Sequence, residues 1–333
     1  MSSTAVGIVE RIKDALSERL SDVVSQLAAA AALIVVFVAL SFASPVFLTA
    51  DNLFNIGTQT AVTAVLAVGV TMVIITAGID LSVGSVSALA GVVGVMLITS
   101  VGLPVPMAII GGILVGAGAG LVNGLLVSMG GLNPFIATLG MLSVARGLVY
   151  ILTDANSIFG APDSFRLLGQ GVIGAVPIPV IVILVVAVAG YIVLSRTRLG
   201  RYAYAMGSNL EAARLSGIPI RRYLTSVYVI SGSLAGLGGM IAMSRVNSGQ
   251  PNFGVGLELD VIAAAVIGGA SLFGGQGSVV GTLIGAFLIA LIRNGAVLLS
   301  VNTFYQQVII GLIIWIAVFW DQYRRRRLAA ASE

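Results

Sequence analysis

The chain has 333 residues, 58% of them hydrophobic and 9% charged, with a net charge of +4, a mean hydropathy of +1.09, no cysteine and no histidine. Soluble domains carry roughly 25% charged residues, so a water-exposed globular surface is excluded; so are thiol nucleophiles, disulfides, imidazole bases and zinc or haem ligation by Cys or His. Lys13 is the only lysine, which leaves no place for a phosphate-cradling Gly-x-x-x-x-Gly-Lys-[Ser/Thr] loop, and any ATP that drives this protein is hydrolysed by another chain.

Residues 5–27 put Val9, Ile12, Leu16, Leu20, Val23 and Leu27 on one face, with Glu10, Lys13, Asp14, Glu18 and Asp22 elsewhere. That pattern predicts an amphipathic helix along a membrane interface, or a solvated leader that only orients the chain. Apolar runs of about 20 residues, the length of a helical crossing, follow near 27–46, 58–78, 82–100, 106–128, 134–152 and 177–195. A basic loop at 196–222 separates them from four more, near 223–243, 259–273, 278–298 and 304–320. The runs are continuous rather than alternating, which excludes a β-barrel. The expected fold is an all-α polytopic membrane protein of about ten transmembrane helices, some broken or re-entrant. Its parts are an N-terminal segment 1–26, a transmembrane domain 27–320 and a basic tail 321–333.

Charge sets the orientation. Thirteen of the 17 basic residues lie in the N-terminal segment, in the loop 196–222 and in the run Arg324–Arg327. All three are predicted to be cytoplasmic, which puts both termini inside and requires an even number of spans on each side of the loop. The polar stretches 153–176 and 244–258 then face outward. Two joints, Gly78-Ile79-Asp80-Leu81-Ser82 and Phe273-Gly274-Gly275-Gln276-Gly277-Ser278, have the glycine-rich look of re-entrant breaks, tolerated only where protein or a water-filled path satisfies the backbone. They are read as equivalent elements of two diverged halves.

Glycine recurs every fourth residue at Gly112, Gly116, Gly120 and Gly124, at Gly277, Gly281 and Gly285, and at Gly232 and Gly236. Such stripes let helix backbones approach closely, either as static packing or as the sliding surface of a gate. In the basic loop, Ser208 or Asn209 starts a short helix over 209–216, and Gly217 and Pro219 stop it.

Four motifs carry a resemblance: Gly78-Ile79-Asp80-Leu81-Ser82-Val83-Gly84-Ser85, Arg198-Leu199-Gly200-Arg201, Glu211-Ala212-Ala213-Arg214-Leu215-Ser216-Gly217-Ile218, and Gly281-Thr282-Leu283-Ile284-Gly285-Ala286. In this order, from about Asn52 to Asp321, the chain resembles the ribose-type sugar permeases of bacterial ABC importers. The resemblance implies a permease subunit of the bacterial plasma (inner) membrane, paired with a second permease subunit as a homo- or heterodimer. It further implies an ABC ATPase on the cytoplasmic side and an extracytoplasmic solute-binding protein outside. A monosaccharide of the pentose or hexose class passes inward, ATP is used by the partner ATPase, and this chain itself binds no cofactor, metal or nucleic acid and carries no catalytic residue. Glu211, Ala212, Ala213, Arg214 and Gly217, with Arg201, are then the expected ATPase-coupling contacts of a cytoplasmic coupling helix. The segment before Leu27 lies outside the resemblance.

Polar residues within the apolar runs are candidates for a solute path. Asp80 either lines it and accepts hydrogen bonds from a sugar, or caps the next helix through the amides near Gly84. Ser82, Asn123, Asn133, Thr138 and Asn294 are the other candidates, and Arg146 and Arg293 are expected to snorkel or to pair with backbone carbonyls. A path for a neutral sugar is expected to be lined by amides, hydroxyls and small residues, without a strong ion pair. Asp163, Arg166, Arg245 and Glu258, with Asp154 and Asp260, are expected outside, where they can pair with the binding protein. Three other functions compete. A branched-chain amino acid or nucleoside ABC permease would share the layout but depart from the Gly-Ile-Asp-Leu-Ser and Arg-Leu-Gly-Arg patterns. An ion-coupled secondary transporter would want ionisable groups at the midplane of several helices. An intramembrane enzyme would need a facing pair of aspartates, and Asp80 is the only one placed within a span.

Overall fold

Prolines and capping side chains set where each apolar run becomes a helix. The computed structural model describes residues 26–330, so the predicted amphipathic helix 5–27 lies outside the described residues but for its last two. The helices are α1 (Gln26–Ala43), α2 (Ala50–Ile75), α3 (Val83–Thr99), α4 (Val105–Ser128), α5 (Pro134–Thr153), α6 (Asp163–Gln170) and α7 (Ile178–Arg196). They continue as α8 (Arg198–Ser208), α9 (Leu210–Leu215), α10 (Ile220–Val246), α11 (Leu257–Ile267), α12 (Val279–Leu298) and α13 (Thr303–Ala330). A two-residue hairpin of β1 (Val172–Ile173) and β2 (Val176–Pro177) precedes α7. Proline stands in the first two positions of α4, α5 and α7, where its missing N–H costs nothing. Side chains of Thr49, Asn133, Thr197, Asn209 and Ser278 cap α2, α5, α8, α9 and α12.

All ten predicted spans fall on helices. Among the described residues seven of them, α1, α2, α4, α5, α7, α10 and α12, are long and apolar enough to cross a bilayer. α3 has 17 residues and α11 only 11, and the described apolar part of α13 is Phe304–Ile313. α13 carries the basic run 324–327 as continued helix instead of a separate tail.

α10 is the central post, packed against α2, α3 and α4, with Tyr228, Met240, Ile241 and Met243 fully buried along it. The stripes Gly112–Gly116–Gly120–Gly124 of α4 and Gly232–Gly236 of α10 face one another. A Cβ at Gly116 would overlap the Gly232 carbonyl oxygen, and one at Gly232 would overlap that of Gly116. In α12, Gly281 and Gly285 press against Gly268 and Ala264 of the α11 side, whereas Gly277 precedes the N-cap and belongs to the turn. α1, α4, α5 and α7 turn large apolar side chains outward, among them Leu114, Ile151 and Leu184, the surface that lipid covers in a spanning bundle.

The chain makes the same move twice, in opposite directions. α2 runs to the end of the bundle that α8 covers, where Gly207 lies against the Ile75 carbonyl. Residues 76–82 then turn back without regular structure, and α3 leads to the opposite end, where Val95 meets Gly249. α10 starts beside α4 at the α8 end, through Ser128 and Thr225, and reaches the α6 end at Arg245, beside Gly169. Residues 247–256 turn back, and α11 returns to the α8 end at Gly268. The two short helices meet at their N-termini: a Cβ at Gly84 would overlap the Gly254 carbonyl oxygen and lie 2.6 Å from Glu258 Oε2. The partner of the break at 78–82 is therefore 247–256, not 273–278. The latter turn lies at the α8 end, with the Gly275 N–H donating to the Ile75 carbonyl at 2.9 Å. Polar composition made 244–258 read as an exterior loop; Arg146 is what draws its middle inward.

Candidate coupling end and transmembrane path

At one end of the bundle the predicted coupling loop is two helices. The Arg198-Leu199-Gly200-Arg201 motif opens α8, a helix the sequence reading did not foresee. Thr197 caps it, Gly200 nests on the Leu194 backbone, and the Tyr204 hydroxyl donates to the Gly277 carbonyl at 2.7 Å. α8 is thereby fixed to the bundle, and α9 projects from it. Asn209 Oδ1 accepts the Ala212 N–H at 2.9 Å. Glu211 and Arg214 pair at 3.1 Å on the exposed face, a pair contributing a few tenths of a kcal/mol and serving mainly to set the orientation of the two groups. Gly217 has φ +78° with open space around it; its N–H donates to the Arg214 carbonyl and that of Ile218 to the Ala213 carbonyl, the glycine-terminated C-cap of a helix.

Glu211, Ala212, Arg214, Gly217 and Arg201 are exposed on this end, and Ala213 is buried against it. Leu215, which is not among the coupling residues expected from the sequence, is 81% exposed, with Leu210 at 45%. A leucine in a polar loop reads as an inward anchor, and only the helix register shows that this one points away.

The path candidates divide into three places. Asp80, Ser82, Asn123 and Thr138 come together with Ser231 in a buried cluster. Asp80 Oδ1 accepts from the Ser82 N–H at 3.0 Å and the Ser82 hydroxyl at 2.6 Å, and Oδ2 accepts from Ser231 at 3.0 Å. Asn123 Nδ2 donates to the Ser82 hydroxyl, and the Thr138 hydroxyl exchanges bonds with the Ile79 carbonyl and the Leu81 N–H. The carboxylate thus caps its own turn, two residues on, instead of the amides near Gly84. The Tyr228 hydroxyl and Asn123 Oδ1 are also buried, without a hydrogen-bond partner among the described residues. Asp80 is 2% exposed and ties the link 76–82 to α10, while Ser82 ties it to α4 and Thr138 to α5; the carboxylate is engaged by protein on both oxygens. Replacing it by Ala orphans buried donors at roughly 1–3 kcal/mol each. D80A is expected to lower the Tm of the detergent-solubilised protein clearly, and D80N, which keeps an acceptor, to lower it less.

Asn133 caps α5 and is exposed. Asn294 exchanges two hydrogen bonds with Asn52 of α2, at 3.1 and 2.7 Å, a buried amide pair between helices. Neither joins the Asp80 cluster.

The charges expected outside also separate. Asp163 and Arg166 pair at 3.3 Å on exposed α6, which is held to α10 by Ser244 hydrogen-bonding the Phe165 carbonyl and the Gly169 N–H. Arg245 is half-buried at the same end. Glu258 is not on that surface. It is half-buried beside Gly84, and Arg146 donates from Nη1 to the Pro251 and Phe253 carbonyls, both at 2.8 Å, holding the turn before it against α5.

Asp260 corrects the sequence reading further. It lies inside α11, 7% exposed, and its Oδ2 accepts from Nη2 of Arg293 on α12 at 2.6 Å. A second aspartate therefore lies within a helix of the bundle, paired with Arg293, the residue expected to snorkel. The pair borders two open clefts. One, about 420 Å³, lies among α2, α10, α11 and α12, with Gln59, Thr63, Arg245 and Gln250 on its walls. The other, about 520 Å³, lies toward α13 and includes Gln307.

A family model described as branched-chain amino acid transport system / permease component matches residues 52–318. The chain belongs to this permease family. The ribose import permease protein RbsC of Escherichia coli strain K12 is 43% identical over 298 residues, covering 88% of this chain and 92% of the relative. That of Haemophilus influenzae is 41% identical over 296 residues, covering 88% and 91%. The D-allose transport system permease protein AlsC of Escherichia coli strain K12 is 42% identical over 277 residues, covering 83% and 85%. No solved structure matches significantly. As a member of this family the permease is a multi-pass membrane transport subunit of the ABC type and not an enzyme, and its partners are in general an ATPase and a binding protein.

Proposed function

We propose that this permease passes a monosaccharide of the pentose or hexose class from an extracytoplasmic binding protein into the cytoplasm. The observation that carries the reading is similarity over nearly the whole chain to relatives named for ribose import and D-allose transport, joined to an exposed short helix on one end of the bundle. In this reading the α8–α9 end and both termini are cytoplasmic, in keeping with the basic residues gathered there. α9 then seats in a groove of the ATPase with Glu211, Ala212, Arg214 and Leu215 at the contact, while Arg201 borders it and Gly217 shapes its exit. The opposite end, with Asp163, Arg166 and Arg245, receives the binding protein. ATP is bound and hydrolysed by the partner, this chain holds no cofactor, and a second permease copy or a related chain completes the pore.

The test is reconstitution of the permease with its ATPase and binding protein in proteoliposomes. ATP-dependent accumulation of D-ribose or D-allose is expected, and none from the permease alone. Accumulation of leucine instead of sugars would favour the branched-chain amino acid alternative. Uptake without ATPase, driven by a sodium or proton gradient, would replace the importer reading by a secondary transporter.

A further inference from the structure

We propose that the cleft bordered by the Asp260–Arg293 pair is a contact site for a neutral polyhydroxy solute inside the bundle. This rests on the sugar-importer reading and adds to it the residues that touch the solute.

An ion pair within membrane helices is expensive, and such groups face protein interior or a water-filled cavity, where they mark solute pathways. The pair here is not shut in a dry core. The Arg293 side chain is 37% accessible and that of Asp260 9%, and the two residues separate the clefts of about 420 and 520 Å³. Neither charge is fully engaged by protein. Asp260 accepts from protein through Oδ2 alone and Arg293 donates through Nη2 alone, its Nε being buried without a partner among the described residues, so part of each charged group is left for another ligand.

The walls supply further neutral polar groups. Gln59 and Thr63 lie one turn apart on the cleft-facing side of α2, and their side chains make no hydrogen bond to the described residues. Gln250 is held in place by Ser157 and Ser248. A carboxylate accepts hydrogen bonds from two adjacent hydroxyls, a guanidinium donates to hydroxyl or ring oxygens, and an amide does both. The pair is neutral as a unit and offers a polyol directional hydrogen bonds, and Arg245 on the same wall adds further N–H donors. Apolar Val62, Ala242, Met243 and Ile289 complete the wall and give the carbon face of a sugar ring a surface to lie on.

The absence of cysteine makes single-cysteine labelling clean in this chain. In the complete transporter, Thr63→Cys is expected to react with a membrane-impermeant methanethiosulfonate reagent, whereas Leu114→Cys on the outer apolar face is not. Saturating D-ribose or D-allose is expected to slow the Thr63→Cys reaction at least threefold. D260N and R293Q are expected to lose at least tenfold in uptake, and the exchange D260R/R293D, which keeps an ion pair between α11 and α12, is expected to assemble with the ATPase like wild type without restoring uptake. Sugar-insensitive labelling, full uptake by D260N, or full uptake by the exchange variant would overturn the proposal and leave the pair as a strut. These results are separable from failure of the importer reading. A wild-type complex that accumulates neither sugar removes both, whereas wild-type accumulation matched by D260N removes only this one.

Discussion

Gly116→Leu is expected to leave little folded protein after detergent extraction, measured as the monodisperse peak on size-exclusion chromatography against total expressed chain. The reason lies in the α4–α10 seam. At Gly116 the first atom of any side chain overlaps the Gly232 carbonyl oxygen, and the reverse holds at Gly232. Flexible side chains can yield to an added methylene; two helix backbones in contact cannot without moving apart along the seam. The cost therefore exceeds the ~1–3 kcal/mol of ordinary overpacking, and α10 is also the post on which α2 and α3 pack. Gly118→Leu is the control: on the same helix, a Cβ there meets nothing within 4 Å, and a wild-type peak is expected. Normal recovery of Gly116→Leu would show that the seam is loose enough to slide, the gate reading of the glycine stripes.

Leu215→Glu is expected to separate folding from coupling. The side chain is 81% exposed, so the permease itself should change by no more than about 0.5 kcal/mol, and its Tm should stay near wild type. If α9 is the seat of the ATPase, the leucine is buried on docking, and its loss removes about 1.5–3 kcal/mol of contact. Association with the ATPase, read by co-purification or by transport-coupled ATP turnover, should fall by on the order of ten- to a hundredfold. Gly217→Val acts differently. There is room for the side chain, but φ +78° costs an L-residue about 1–2 kcal/mol, so the exit of α9 is distorted and a partial loss of coupling is expected. Wild-type coupling in Leu215→Glu would move the docking surface away from α9.

The two short helices show where reading from the chain alone stops. α3 could be placed because Gly78-Ile79-Asp80-Leu81-Ser82 interrupts an apolar run, and polar residues in such a run stand out. The matching break before α11 could not, because Ser244–Glu258 is rich in polar residues and glycine and such stretches between spans ordinarily lie in water. What holds that segment inside is Arg146, 105 residues from its Pro251 partner, and a contact of that separation leaves no local trace. The same limit hid Asp260. Its charge at the start of a short apolar segment looks like a loop residue until Arg293 is seen 2.6 Å away. Asp80 was visible as a candidate, but its bond to Ser231, 151 positions on, was not.

Hydropathy, charge and punctuation by themselves determined that this chain lives in a bilayer as about ten helical segments, with a short glycine-stopped helix in a basic loop between two groups of spans. Those properties are local: each span must satisfy its own backbone in lipid, and each cap acts within four residues. The tertiary structure alone decided which breaks meet, which glycines touch, which leucine of α9 faces away from the bundle, and that an ion pair borders the clefts. Those depend on contacts between helices distant in sequence, where packing shape and the need to pair each buried charge select one arrangement from many with the same pattern.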